Sequence, residues 1–525
     1  MMLASSLLHS SSSQLLPAQL LLALQIPTGI VAPPLEDYIR ILPELVLSVF
    51  GMIIMFVDPL LDEDRNQRPL GAIALIGGLA AFLSTFVMAD HPGLAFSGMV
   101  RVDDFSVFFH VLIIAIAVVV ILSSYEYMAV QRIRAGEYYG LILFGTVGMC
   151  LMSSAIELVL IFIALEISSI STYVLAGFRR RDAASSESSL KYFLLGSFAT
   201  AFFLYGVALM FGATGSTTIP AIREKLLSNP NQLLPYVAAA LMFVGLGFKV
   251  ASAPFHVWTP DVYEGAPAPI VGLMSTGPKA AAFAVLLRVL IETNAPGWFW
   301  LIWVSAALSM TIGNIGALLQ DNIKRLLAYS SIAHAGYILV AFAANRELAA
   351  SPAMFYSAAY AAMNVGAFAV VSHFANAEER YVTLEDYAGL GRKSPALAAT
   401  LTFFLMSLIG IPITGGFFAK FYILSSALRS GLNVLVIVMV LNSGIGAYYY
   451  LRVIVMMYMR EPRGDVPVAP APFSAVLAVT VCLLATLYLG VFPGRVLDFT
   501  MRSASQIAEP AMPPIASSQH RNLGN

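Results

Sequence analysis

The chain has 525 residues, 59% of them hydrophobic and only 11% charged, with a formal net charge of −1 and a mean hydropathy of +0.81. No soluble domain of this size has that balance, and the basic residues are scattered through connectors and helices rather than gathered in a patch, so no nucleic acid is expected as a partner. The two cysteines, Cys150 and Cys482, lie in apolar stretches without C-x-x-C spacing. Neither a disulfide nor a metal or iron-sulfur site can be argued from them, and packing is the plain reading.

A helix needs about 20 mostly apolar residues to cross a bilayer, and such stretches recur nearly end to end. In chain order the predicted spans are Ile39–Val57, Leu70–Met88, Phe105–Ser124, Tyr139–Met152 and Ala155–Phe178. Next come Leu190–Gly212, Leu233–Trp258, Ala268–Thr293, Trp298–Leu319 and Leu326–Ala343. The last four are Ala353–Phe374, Ala396–Leu428, Leu432–Met459 and Phe473–Phe492. The fold class is therefore an all-α polytopic membrane protein of about fourteen helices in a lipid bilayer. An earlier apolar run, Leu15–Ala32, is interrupted by Pro17, Pro27 and Gly29 and lacks the charged start of a signal peptide. A further span, an interfacial segment and an overlong start all stay open for it.

Loop charges set the orientation, because cytoplasmic loops are enriched in Lys and Arg. With fourteen spans, one side carries Arg65, Arg68, Arg132, Arg134, Arg179, Arg180, Arg181, Lys324, Arg325, Arg380, Arg392, Lys393, Arg460 and Arg463. The other carries Arg101, Arg223, Lys225, Arg346 and Arg429. The basic side is expected to face the cytoplasm or its equivalent, with both termini opposite.

Charges left inside the spans need a reason, since an ionisable group near the bilayer centre costs roughly 2.5–3.5 kcal/mol on insertion scales. Mid-span stand Glu166, Lys249, Lys279, His334 and Lys420, the candidates for an ion path. A structural ion pair or a snorkelling side chain is the competing reading for the lysines, and a hydrogen-bonded packing residue for His334. Lys191, Arg288 and Arg452 suit snorkelling better, Arg288 having Glu292 four residues on. Glu157, nine residues before Glu166, falls on the opposite helix face and about 13 Å away, at an outer end.

These residues repeat. Glu166 and His334 are 168 apart, Lys249 and Lys420 are 171 apart, and Arg288 and Arg452, each within Leu-Arg-Val, are 164 apart. A repeat of five spans, the fourth to eighth and the ninth to thirteenth, must be inverted because five is odd, which is a transporter and pump architecture. The expected divisions are an N-terminal extension 1–34, three helices over 35–137, repeats over 138–293 and 294–460, and a last helix and tail over 461–525. Helices 7 and 12 are expected to be broken: Pro254 follows Lys249, while Pro412, Gly415 and Gly416 precede Lys420. The alternative for each is an ordinary proline kink.

A buried lysine is a switchable proton carrier, because burial disfavours its charged form and a nearby carboxylate favours it. The expected mechanism pairs Glu166 with Lys249 and passes a proton through Lys279 and His334 towards Lys420. Fastening two helices is the plain alternative for the pair.

The run from Phe248 to Pro267, the Ser275-Thr-Gly-Pro-Lys279 and Ser330-Ser-Ile-Ala-His334 segments, Leu165-Glu166 and Gly415-Gly-Phe-Phe-Ala-Lys420 together resemble the antiporter-like membrane subunits of complex I. Within that family the chain is most similar to the members nearest the quinone-reducing part. The segments Arg179-Arg-Arg-Asp and Ser188-Ser-Leu-Lys-Tyr-Phe-Leu-Leu-Gly are similar to cyanobacterial and plastid versions. The resemblance implies a proton-translocating subunit of an NAD(P)H- or ferredoxin-linked quinone oxidoreductase, assembled with other membrane and hydrophilic subunits. It implies a thylakoid membrane, with a plasma membrane as the alternative. It also implies no cofactor in this chain, with FMN, iron-sulfur clusters and plastoquinone in partner subunits. The sequence agrees in having no phosphate-binding glycine loop, cysteine cluster or dinucleotide fingerprint. A subunit of a multisubunit cation/proton antiporter is the alternative function, and an unrelated secondary transporter a more distant one.

Overall fold

The computed structural model describes residues 32–61, 68–131, 135–228, 233–293, 297–375, 379–462 and 469–508. The run at 15–31, loop residues Arg65, Arg132, Arg134 and Arg463, and the tail beyond 508 lie outside them. Among the described residues fourteen crossings follow one another, thirteen of them helices long and apolar enough to span by themselves. They are α1 (Leu42–Val57), α2 (Arg68–Ala89), α3 (Asp104–Gln131), α4 (Ala135–Ser154), α5 (Leu158–Ala176) and α6 (Ala183–Thr214). Then come α7a (Leu233–Val250) and α7b (Thr259–Gly265), α8a (Ala268–Met274) and α8b (Gly277–Thr293), α9 (Trp298–Leu318), α10 (Ile323–Ala343) and α11 (Arg346–Ala375). The chain closes with α12a (Pro395–Ile409) and α12b (Gly415–Arg429), α13 (Asn433–Met459), α14 (Phe473–Val491) and α15 (Gly494–Ala508).

Several boundaries move from expectation for local reasons. α1 starts at Leu42 rather than Ile39 because Pro43 occupies its first turn, where the missing N–H costs nothing. α6 starts seven residues early, at Ala183, because the Asp182 carboxylate caps it by accepting from the Ala184 N–H at 3.0 Å. A hairpin that apolar periodicity does not signal, β1 (Gly93–Ala95) with antiparallel β2 (Val100–Val102), joins α2 to α3. α15 is a helix of the tail that carries Leu497, Thr500, Ser503, Ala504 and Ile507 on one buried face.

Burial ranks the helices. The most apolar stretch of α8 is fully buried and that of α10 nearly so, whereas α1 and α14 bury only about a third of theirs. Large apolar side chains such as Phe56, Leu83, Phe198, Leu441 and Leu484 point outward, as a lipid-facing surface requires. The interior is thus built on α8, α10 and α11.

Close packing in lipid depends on small residues, and two glycines show the repeat directly. A Cβ on Gly148 would lie 2.6 Å from the Ala164 carbonyl oxygen and the Ser168 nitrogen of α5. One on Gly313 would lie 2.8 Å from the Tyr329 carbonyl oxygen and 2.5 Å from the Ala333 nitrogen of α10. All three contact positions recur 165 residues on, so α4 sits on α5 as α9 sits on α10. In that register His334 matches Ser169, and Glu166 lies one turn away on the same face.

Both expected breaks are present. α7a ends at Val250, directly after Lys249, and Pro254 lies in the non-helical stretch before α7b. α12a ends at Ile409, Pro412 lies in the break, and Gly415 and Gly416 open α12b, with Lys420 in its second turn. The α7 break therefore follows its lysine and the α12 break precedes its own. α8 is interrupted as well, at Ser275–Thr276, where a continuous helix is expected from the sequence.

Candidate functional site

Breaking a helix in a membrane leaves carbonyls and N–H groups that must find partners. At the α7 break two hydroxyls of α9 supply them. Ser309 Oγ accepts from the Ala253 N–H at 2.7 Å and Ser305 Oγ donates to the Ala253 carbonyl at 2.7 Å. The Trp258 indole N–H donates to the Phe248 carbonyl at 3.1 Å. The stretch around Lys249 is thereby fixed rather than frayed.

Lys249 is buried, and its surroundings differ from the expected ion pair. Among the described residues no ion pair joins it to Glu166. Its Nζ instead lies over the rings of Tyr173 and Tyr192, 5.1 and 5.3 Å from their centroids, with the Tyr192 hydroxyl at 3.5 Å. The aromatic faces add attraction of about 2 kcal/mol when desolvated, and the Glu166 carboxylate acts on Lys249 from beyond ion-pair distance. Glu166 is half-buried on α5, with its Oε1 buried and making no hydrogen bond to the protein. Sequence spacing placed both residues in the bundle and could not measure their separation.

Lys279 on α8b is 2% exposed and donates to the carbonyl of Ser331 at 3.1 Å and to its hydroxyl at 2.5 Å, both on α10. Beside it a cavity of about 10 Å³, bordered by Thr276, Ser357 and Tyr360, is at the limit of room for one water. His334, one turn along α10 and buried, has tyrosine hydroxyls on both ring nitrogens: Tyr356 at 2.7 Å on Nδ1 and Tyr450 at 3.2 Å on Nε2. Tyr450 in turn bonds Ser330. A phenol can donate or accept, so either ring tautomer is satisfied.

Lys420 donates to the Ile409 carbonyl at 2.8 Å and to Ser443 Oγ at 3.0 Å, and lies over Tyr337, 5.0 Å from the ring centroid. Ile409 is the last residue of α12a, so a carbonyl freed by the break, at the negative end of a half-helix, receives the lysine. Ser330, Ser331, His334 and Tyr337 thus make α10 the spine linking Lys279, Tyr450 and Lys420. Among the described residues the direct contacts of all three lysine ammonium groups are hydroxyls, carbonyls and ring faces. Among the described residues none of the three forms an ion pair with a carboxylate, and the Glu166 charge acts on Lys249 from beyond ion-pair distance.

The other intramembrane charges are tied down. Arg288, expected to snorkel, is 0% exposed and clamps Asp103 (3.0 and 2.8 Å) and Glu292 (3.2 Å), while Arg101 holds Glu292 from outside at 2.9 Å. Snorkelling fails because the loop before α3 brings Asp103 to it. Lys191 reaches Glu187 and Asp261, both at 2.7 Å, so it too is tethered. Arg452 does end near the surface, donating to the Leu318 carbonyl at 3.1 Å and pairing with Asp321 at 3.0 Å. Lys324, expected in a loop, is the second residue of α10 and buried, paired with Glu379 at 2.5 Å. Glu157 is at the outer end as expected, capping α5 by accepting from the Leu160 N–H at 2.7 Å.

Sequence reading missed the tyrosines of the line, Tyr173, Tyr192, Tyr337, Tyr356 and Tyr450, and Ser331. Their signal was available: a tyrosine within an apolar span has a hydroxyl that must find a partner. Cys150 and Cys482 are both buried and free, as packing residues are.

Inverted broken helices and a line of buried lysines define an antiporter-like, ion-translocating membrane subunit. The NADH:quinone oxidoreductase/Mrp antiporter transmembrane family matches residues 155–446. NADH-quinone oxidoreductase subunit N 2 of Koribacter versatilis is 66% identical over 484 residues, covering 91% of this chain and 98% of that protein. A chain of respiratory complex I from Thermus thermophilus is 37% identical, with a TM-score of 0.75 over 87% of this chain and 98% of its own. A chain of the Mrp complex from Dietzia superposes with a TM-score of 0.77 over 91% of this chain and 98% of its own, at 19% identity, a likeness of fold alone. The chain belongs to the NADH-quinone oxidoreductase subunit N family.

Proposed function

We infer that the chain is a proton-translocating membrane subunit of an NADH-quinone oxidoreductase, and that Glu166, Lys249, Lys279, His334 and Lys420 carry the protons. The observation that carries this reading is the set of three intramembrane lysines, Lys249 and Lys279 buried and Lys420 half-buried, whose hydrogen bonds among the described residues go to neutral groups, two of them at helix breaks. Hydroxyls and carbonyls accept hydrogen bonds from an ammonium and from a neutral amine alike. The hydrogen bonds of each lysine can therefore survive the loss and return of a proton, while the ring contacts of Lys249 and Lys420 weaken in the neutral form. Electron transfer belongs to partner subunits, to which FMN, the iron-sulfur clusters and the quinone site are assigned.

Of the proteins named above, the Koribacter relative is an NADH-quinone oxidoreductase subunit and the Thermus chain belongs to a respiratory complex I, which favours NADH as donor. They lend no support to the finer expectation of a cyanobacterial or plastid enzyme with plastoquinone in a thylakoid, and a bacterial respiratory membrane fits them better. A cation/proton exchange subunit shares the fold, and transport that requires Na⁺ would favour it. The test is the complete complex in proteoliposomes carrying Lys249→Ala or Glu166→Ala. Proton pumping is expected to be lost while the subunit stays inserted, and unchanged pumping in either variant would overturn the reading.

A further inference from the structure

The three N-terminal helices hold a buried acid-base pair away from the lysine line. Glu44, the third residue of α1, is 3% exposed, and His110 on α3 is 0% exposed. Glu44 Oε1 lies 2.8 Å from His110 Nε2. On the other side of the ring, Nδ1 is 2.7 Å from the carbonyl of Ser106. A carbonyl only accepts, so Nδ1 must carry a hydrogen. Nε2 is then bare if the ring is neutral.

The 2.8 Å contact therefore holds one proton. Either Glu44 is a carboxylic acid donating to a bare Nε2, or the imidazolium donates to the Glu44 carboxylate. Without that proton, a carboxylate would face the lone pair of Nε2. The second carboxyl oxygen, Glu44 Oε2, is buried and has no hydrogen-bond partner in the protein, an expensive state for a polar atom with a structural role alone.

The remaining groups around the pair cannot take the proton over. Ser153 of α4 bonds His110 Nδ1 at 3.2 Å and donates to the Cys150 carbonyl at 2.8 Å. The Ser153 carbonyl is engaged by Arg288 Nε at 2.9 Å, and Arg288 is held by Asp103. Cys150 is fully buried. Glu44 sits two residues from the start of α1 and His110 six from the start of α3, about 3 and 9 Å along the axes from those helix starts, which lie on the side opposite the basic loops.

We propose that Glu44 and His110 form a proton-binding site on the N-terminal helices, separate from the lysine line, which exchanges protons with the side opposite the basic loops during turnover. Loading adds one proton to Glu44 Oε2 of the ion-paired form, making a carboxylic acid beside an imidazolium. Release breaks that O–H bond and returns the proton to water, with no electron transferred. The role in turnover rests on the proton-translocating reading above; the site itself does not.

The test uses the intact complex with Glu44→Gln, and His110→Gln in case the first does not assemble. Two readouts are taken: infrared difference spectra on adding NADH, and pumping rate in proteoliposomes at several pH values on the side opposite the basic loops. The expected result is a protonated-carboxyl band that disappears in Glu44→Gln, with pumping at least threefold slower and its pH profile flattened in either variant. An unchanged band together with parental pumping rate and pH profile would overturn the site, and a loss of thermal stability alone would mean a mere tether between α1 and α3. Lys249→Ala run in parallel keeps the two ideas apart. If it pumps normally, the translocation reading falls, while the carboxyl band still decides the site.

Discussion

Replacing Arg288 with Met should destabilise the subunit far more than its position near a span end suggests. The guanidinium is fully buried, makes a two-pronged contact with Asp103, a third contact with Glu292, and a bond from Nε to the Ser153 carbonyl. Removing one partner of a buried pair costs roughly 3–5 kcal/mol, because the other charge is left uncompensated, which is about two to four decades in the folded ratio. Arg180 with Glu137 is the internal comparison: the pair is close, at 2.6 Å, but its side chains are 72% and 42% exposed, so Arg180→Met should lose about 0–1 kcal/mol. Adding Asp103→Leu to Arg288→Met should restore at least half the loss, since Glu292 keeps Arg101. Thermal unfolding of the intact complex in detergent, followed by size-exclusion fluorescence, reads all three against the parent. Equal midpoints for Arg288→Met and Arg180→Met, or no recovery in the double variant, would refute the argument.

Gly416→Ala should lower the amount of assembled complex sharply, because its Cβ would stand 1.9 Å from the Ser407 carbonyl oxygen, backbone that cannot swing away; native gels of membranes would show it. Ser331→Ala removes the 2.5 Å hydroxyl contact of Lys279 but keeps the carbonyl. With about 1.5–3 kcal/mol for a hydrogen bond to a charged group, pumping should fall about tenfold or more with assembly intact, and parental rates would remove Ser331 from the path. Asp103 supplies a pH prediction. Burial by itself would raise its carboxyl, but the Arg288 charge and hydrogen bonds, the Ser106 N–H and Arg101 together hold it below its usual value. Its stabilisation is therefore fully present above the unfolded value of about 3.9 and drains away as pH falls through the folded one. Asp103→Asn should be less stable at neutral pH and lose less on acidification, as melting curves from neutral to acid pH would record.

The sequence by itself determined the fourteen crossings, the inverted repeat and the two broken helices. Each rests on a local rule: a span needs a fixed length of apolar residues, and a proline or a glycine pair interrupts a helix wherever it stands. It also determined which charges are intramembrane, because a lysine within an apolar run stands out by its cost. Partners were another matter. Lys249 looks like half of an ion pair with Glu166 and is instead boxed by Tyr173 and Tyr192; Arg288 looks like a snorkelling side chain and is a buried clamp. Lys324 looks like loop charge and is buried against Glu379, and the Glu44–His110 pair joins residues 66 apart that no periodicity connects. Tertiary structure decided all of these, because a buried charge takes whatever polar group the neighbouring helix presents, and which helix is neighbour, and at what height, is set by packing such as the glycine contacts of α4 on α5 and α9 on α10.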